Sequence, residues 1–409
     1  MAVERDGRSD WLVVGLALVA GVVGAMHLGK MGPALPSLRE SLGLDYVAGG
    51  RIASAITVLA LCTGLFAGLV AARLGAGRSV VLGLLVMAAG GTLGALAGGD
   101  GLLLVARVIE GAGYLASGTA APVLVAAGVA PRQRTLALSL WGTTVPLGSA
   151  LALMIAPPVI GLGGWRDLWL VVAGLAVVTA LAVILARRRV AAVAQAARGP
   201  AGSAPARGPL IALRSPAGWI GALIFSAYSL QFWALLNWLP TALGEVGGLS
   251  LGIAAMVTAA VVAMNALGNL AGGTLLRRGW QRPVLIGAAS LVMGLAGIAM
   301  NQHALPDGVR LAACFVLSGV GGVIPAALVS SAPLLVERQS ETGYFQGFFM
   351  QGAALGQFAG PIAAAAAVAA AGGDWAATVW VTAGAAAIAI LLAALLSRTV
   401  LGRAALRTG

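Results

Sequence analysis

Runs of about twenty apolar residues, broken only by short polar turns, recur along the whole of this 409-residue chain. A bilayer core about 30 Å thick requires helices of that length, because lipid offers no partner to an unpaired backbone group. Membrane barrel strands would alternate apolar and polar residues, and these runs do not. Twelve segments can be read, near 11–36, 49–72, 79–98, 102–127, 135–162, 167–186, 216–243, 249–276, 283–300, 309–336, 343–369 and 375–397. The expected fold is therefore an all-α integral membrane protein of twelve spans. No cleavage pattern precedes the first run, so it is expected to remain as a membrane helix.

Composition excludes the other classes. The chain is 60% hydrophobic and only 9% charged, with a mean hydropathy of +0.97, whereas a soluble surface needs roughly 25% charged residues. A net charge of +12 could point to nucleic acid, but the bases sit in short gaps between apolar runs. No nucleic-acid partner is expected, and the lipid bilayer is. Cys62 and Cys314 lie inside apolar runs without partners at metal-ligand spacing, so neither a metal nor a cofactor is expected.

The longest interruption, 187–215, opens on three arginines and continues in Gln, Ala, Gly, Pro and Ser, which reads as a flexible basic linker. It divides the chain into residues 1–186 and 216–409, with six spans each. Placing both termini in the cytoplasm gathers 19 of the 25 basic residues on that side, as the positive-inside rule requires. A multi-pass protein of the bacterial inner membrane, acting as a monomer, is the expectation.

The halves repeat one another. Gly68, Arg73, Gly75 and Arg78 recur as Gly272, Arg277, Gly279 and Arg282 at a constant offset of 204 residues, in the loop after the second span of each half. Glycines allow the sharp turn, and arginines hold the loop at the anionic inner leaflet. Gly111 and Gly113 of the fourth span recur as Gly319 and Gly321 of the tenth, and Gly163-Gly164-Trp165 loosely as Gly372-Gly373-Asp374-Trp375.

With these residues the chain resembles the major facilitator superfamily. Residues 68–78 are similar to that family's Gly-x-Leu-Ala-Asp-Arg-x-Gly-Arg-Lys loop, and Arg107 to Gly113 to its Arg-x-x-x-Gly-x-Gly element. The resemblance implies two pseudo-symmetric six-helix bundles around a central cavity, a mid-membrane substrate site, and alternating access as the halves rock. Departures are Ala72 and Leu276 in place of the loop aspartate, so the family's cytoplasmic charge network must differ here. The Gly-Pro motif of proton-coupled drug antiporters is matched poorly by Ala156 to Gly161. The stretch from His27 to Pro36, with Trp141-Gly142 and Trp238-Leu239-Pro240, resembles the cyanate/nitroimidazole permease branch.

Charges inside a span cost about 3 kcal/mol or more each, and three remain after loops are assigned: Lys30, Arg107 and Glu110. Helical rise places all three at similar depth in the outer half of the first and fourth spans, which line the cavity in the family. Arg107 and Glu110 share one face at i, i+3, as do His27 and Lys30. One reading is a structural Arg–Glu pair with a lysine reaching the outer interface. The other is a cavity with one excess positive charge, where guanidinium and ammonium bind an anionic substrate and His27 adds a donor or proton site. The second half has no such charge. Tyr228, Gln231 and Gln357 are its candidates for the cavity, while Asn265 and Asn269 are expected to glue helices together.

An enzyme would need a nucleophile–base or metal constellation, and ATP-driven pumping a phosphate-binding loop; neither motif is present. The expected function is secondary transport of a small anionic or polar solute, with protons as the candidate coupling ion in a symporter. A proton-coupled drug or metabolite exporter is the alternative.

Overall fold

The computed structural model describes residues 9–64, 74–197, 208, 210–336 and 342–399, and every regular element among them is helical. Among the described residues, eleven helices are long and apolar enough to cross a membrane, and a twelfth span is broken, bending by 45° between Tyr46–Ala55 and Val58–Gly64. In chain order the spans are α1 (Trp11–Leu42), the broken α2, α3 (Ala76–Ala95), α4 (Asp100–Ala127), α5 (Pro131–Gly163), α6 (Trp165–Leu185), α7 (Pro216–Glu245), α8 (Leu251–Arg277), α9 (Arg282–Met300), α10 (Asp307–Leu334), α11 (Thr342–Ala370) and α12 (Trp375–Leu396). The expected multi-pass, all-helical protein is what is found.

Small residues set how closely these helices approach. A Cβ on Gly83 of α3 would lie 2.6 Å from the carbonyl oxygen of Gly113 on α4. Gly352, Gly356 and Gly360 likewise press α11 onto the α7 backbone at Ala222, Ser226 and Leu230. Membrane helices pack by such contacts because lipid tails provide no hydrophobic drive between them. Contact across the halves runs along α2 with α11 and α5 with α8. Gly50 of α2 would meet the Pro361 carbonyl of α11 at 2.8 Å if it carried a Cβ.

The internal repeat is visible in the backbone. Gly75 ahead of α3 and Gly279 ahead of α9 have φ of 86° and 87°, a left-handed turn that L-residues avoid. Arg78 and Arg277 are exposed, Arg282 is half-buried, and Arg277 donates to Thr274 of its own helix. Gly272 packs against α10, where a Cβ would lie 3.0 Å from the Val323 Cα. Gly68 and Arg73 fall outside the described residues.

The linker departs from expectation at its start. Residues Arg187–Ala197 form a helix whose Val190 and Val193 are buried. Their i, i+3 spacing gives it an apolar edge, which docks at the start of α3 where Gly77 leaves room. Arg189 approaches Asp10 at 4.0 Å, so the linker helix and the entry to α1 share one face of the molecule.

Candidate functional site

The first-half candidates converge. Lys30 closes the first part of α1, its backbone N–H donating to the Met26 carbonyl, and its side chain leaves α1 on the same flank as His27. Glu110 stands opposite on α4. Its Oε1 accepts from Lys30 Nζ at 2.5 Å and meets His27 Nδ1 at 3.2 Å, while its Oε2 accepts from Arg107 at 2.5 Å. Arg107 also donates to the His27 carbonyl at 2.7 Å. Lys30 Nζ lies 4.5 Å from the centre of the Trp169 ring of α6, a cation–π contact. All four polar side chains have zero solvent exposure.

A glycine face on α3 makes room for this group. Cβ atoms on Gly90 and Gly94 would lie 2.7 Å from the Glu110 amide nitrogen and 2.7 Å from Trp169 Nε1 respectively. On a helix, Gly29 and Gly32 point away from His27 and Lys30, and they meet other partners. A Cβ on Gly29 would lie 2.5 Å from the Ser149 Cα of α5, and one on Gly32 would lie 2.8 Å from the Leu236 carbonyl of α7. The ion cluster thus sits behind α1, enclosed by α3, α4 and α6, while the other flank of α1 touches the second half.

One carboxylate faces one ammonium and one guanidinium, a formal excess of one positive charge with Lys30 protonated and His27 counted as neutral. The cluster also holds unused polar atoms: the Arg107 Nε and NH2 and Trp169 Nε1 donors, and His27 Nε2, are buried without a hydrogen-bond partner. Desolvating an unpaired charge in low dielectric is unfavourable by several kcal/mol. The arrangement can therefore attract an anion or change its charge by one proton.

The second-half candidates do not form one group. Tyr228 of α7 is buried and exchanges hydrogen bonds with Asn265 of α8, which also donates to the Ser318 carbonyl of α10 at 2.9 Å. Asn265 thus ties three helices together, as expected of a membrane amide. Gln231 is buried and donates to Ala227 of its own helix, leaving its Oε1 unpartnered. Gln357 is half-buried in α11.

Sequence reading missed a polar and aromatic group on the face away from the linker helix. Arg39 of α1 donates to Glu245 Oε1 at 2.9 Å, and Tyr46 of α2 and Trp375 of α12 donate to Glu245 Oε2 at 2.7 Å and 2.9 Å. Tyr46 lies 5.9 Å from the Trp238 ring and 5.7 Å from that of Trp375, and Arg39 stacks 3.7 Å above the Tyr46 ring. Arg39 and Glu245 lie 206 residues apart, and residues so distant in sequence carry no spacing signal. The one available hint was Trp375, which recurs from Trp165 in the repeat.

The sequence matches the profile of the Major Facilitator Superfamily over residues 12–309. A search of curated proteins found no match. Among solved structures, the chain is similar to the crystal structure of a bacterial homologue of the human lysosomal transporter Spinster in an inward-facing and occupied conformation. The TM-score is 0.77 and identity 17%, covering 95% of this chain and 97% of that one. The same homologue in its inward-facing and unoccupied conformation gives 0.76 and 17%, covering 96% and 97%. At that identity the likeness is one of fold.

Proposed function

Because this chain belongs to the Major Facilitator Superfamily, whose members are secondary transporters rather than enzymes, we propose that it moves a small anionic solute, with protons as the coupling ion. The bacterial inner membrane is its site, with both termini and the linker in the cytoplasm. The six-span units 1–186 and 216–409 rock about the substrate, each chain working as a monomer.

The observation that carries the reading is the sealed excess charge of Lys30 and Arg107 against Glu110. It lies one helix away from the contact between the halves, behind α1. Across a helix diameter of about 10 Å, at an effective dielectric near 20, a unit positive charge attracts a unit anion by about 2 kcal/mol. A solute held between α1 and the second half would feel that attraction without touching the cluster. Gln231 with its free Oε1, and half-buried Gln357, are the polar groups of the second half proposed to contact it. Tyr228 positions α7 for that contact through Asn265. A proton gained or lost within the His27–Lys30 pair alters the excess by one unit, which is the basis proposed for coupling.

Uptake by purified protein in proteoliposomes, against a panel of small organic and inorganic anions with an imposed proton gradient, tests this. Lys30→Met removes the excess while leaving the Arg107–Glu110 pair, and uptake at low substrate should fall about 10- to 30-fold. Unchanged uptake by Lys30→Met overturns the anion reading. Movement of lipophilic drugs instead of anions by the wild-type protein selects the exporter alternative.

A further inference from the structure

We propose that Glu245 is the keystone of a gate that closes the face of the transporter opposite the linker helix, and that its release opens that face. The group is built across the two halves. Arg39 and Tyr46 come from the first, and Glu245, Trp238 and Trp375 from the second. Both oxygens of the one carboxylate are used, and two of its three donors arrive as side chains on different helices of the opposite half. Beneath it the Trp238 ring rests on α2, where a Cβ on Gly49 would lie 3.3 Å from it, and its indole N–H donates to the Pro361 carbonyl of α11 at 2.9 Å. Below the charged contact, the aromatic layer therefore fills the seam between α2 and α7.

The internal repeat explains why this contact is special. Trp165, the first residue of α6, donates to Ser41 at the end of α1 at 2.9 Å. Trp375, the first residue of α12, donates to Glu245 at the end of α7 at 2.9 Å. Ser41 and Glu245 are related by the same 204-residue offset as the loop glycines. In the first half the tryptophan pins its own bundle by a neutral hydroxyl. In the second, a carboxylate occupies the equivalent place, and its remaining acceptor capacity captures Arg39 and Tyr46 of the other bundle. The repeat thus turned a local brace into a contact between halves at one position. The pair is also suited to reversible opening: Arg39 and Glu245 are 20% and 38% exposed, so water can replace their bonds as the halves part, which no sealed ion pair allows.

Spin labels on exposed Glu40 and Ala371, introduced as Glu40→Cys and Ala371→Cys with Cys62→Ala and Cys314→Ala, report the separation of the halves on this face of the full chain in nanodiscs. The parent should show mainly one short distance. Glu245→Ala should raise the proportion of a longer distance by about tenfold, since it removes both charge-assisted bonds that cross the halves, and Tyr46→Phe should raise it less. Ser41→Ala, which breaks only the brace inside the first half, should leave the distribution as in the parent. The proposal is overturned if neither Glu245→Ala nor Tyr46→Phe changes the distribution. It is also overturned if Ser41→Ala lengthens the distance as much as Glu245→Ala, because general loosening would then account for both.

Discussion

The two halves solve the same packing problem with different chemistry. In the first, α1 meets α4 through Lys30, His27, Arg107 and Glu110, all sealed from solvent. In the second, α7 meets α8 and α10 through Tyr228, Asn265 and the Ser318 carbonyl, without any charge. Neutral hydrogen bonds suffice to hold such helices together, as the second half demonstrates. Charges in the equivalent region of the first half are far costlier to bury, and the role proposed for the first half's polarity rests on that difference.

Six variants test how deep that contrast runs. Glu110→Ala leaves Lys30 and Arg107 buried without their counter-ion and should destabilise the protein by about 3–5 kcal/mol, read as a collapse in melting temperature or folded yield. Replacing all three charges together, by Lys30→Met, Arg107→Leu and Glu110→Leu, should restore much of that stability while lowering uptake at low substrate about 10- to 30-fold, as for Lys30→Met, since both remove the same excess charge. A triple variant with unchanged uptake would erase the distinction between the halves. Asn265→Ala, the counterpart in the second half, should cost about 0.6–2 kcal/mol and leave uptake measurable. Gly75→Ala and Gly279→Ala sharpen the comparison from its symmetric side: both turns have the same left-handed φ, so each should cost about 1 kcal/mol in thermal stability. Unequal losses would show that the two loops are not equivalent. Tyr228→Phe is the mildest, removing one neutral hydroxyl from a ring still packed between Phe225 and Phe232, with about 0.6 kcal/mol expected.

The twelve spans were legible because a bilayer demands length and apolarity, both written locally in the chain. The partnership of Arg107 with Glu110 was legible from i, i+3 spacing, and Lys30 joins at the depth that helical rise assigns. What hid was rotation about the helix axis. Whether Lys30 faces the seam between halves or the interior of its own half depends on Gly90, Gly91 and Gly94 of α3 yielding space beside Trp169. None of those glycines announces its partner. The helix over 187–197 was hidden for a related reason: its composition is that of a flexible tether, but Val190 gains a docking surface only when Gly77 is brought beneath it. The Arg39–Glu245 contact was invisible because both residues satisfy every local rule for a solvated loop.

Lys30 is the only lysine in the sequence, and it is completely enclosed. Apart from the terminal amine, the folded protein therefore offers no primary amine to an acylating reagent and no site to a lysine-specific protease. Reactivity at that single position becomes a covalent clock for unfolding, one that needs no engineered label and stays silent while the first half remains intact.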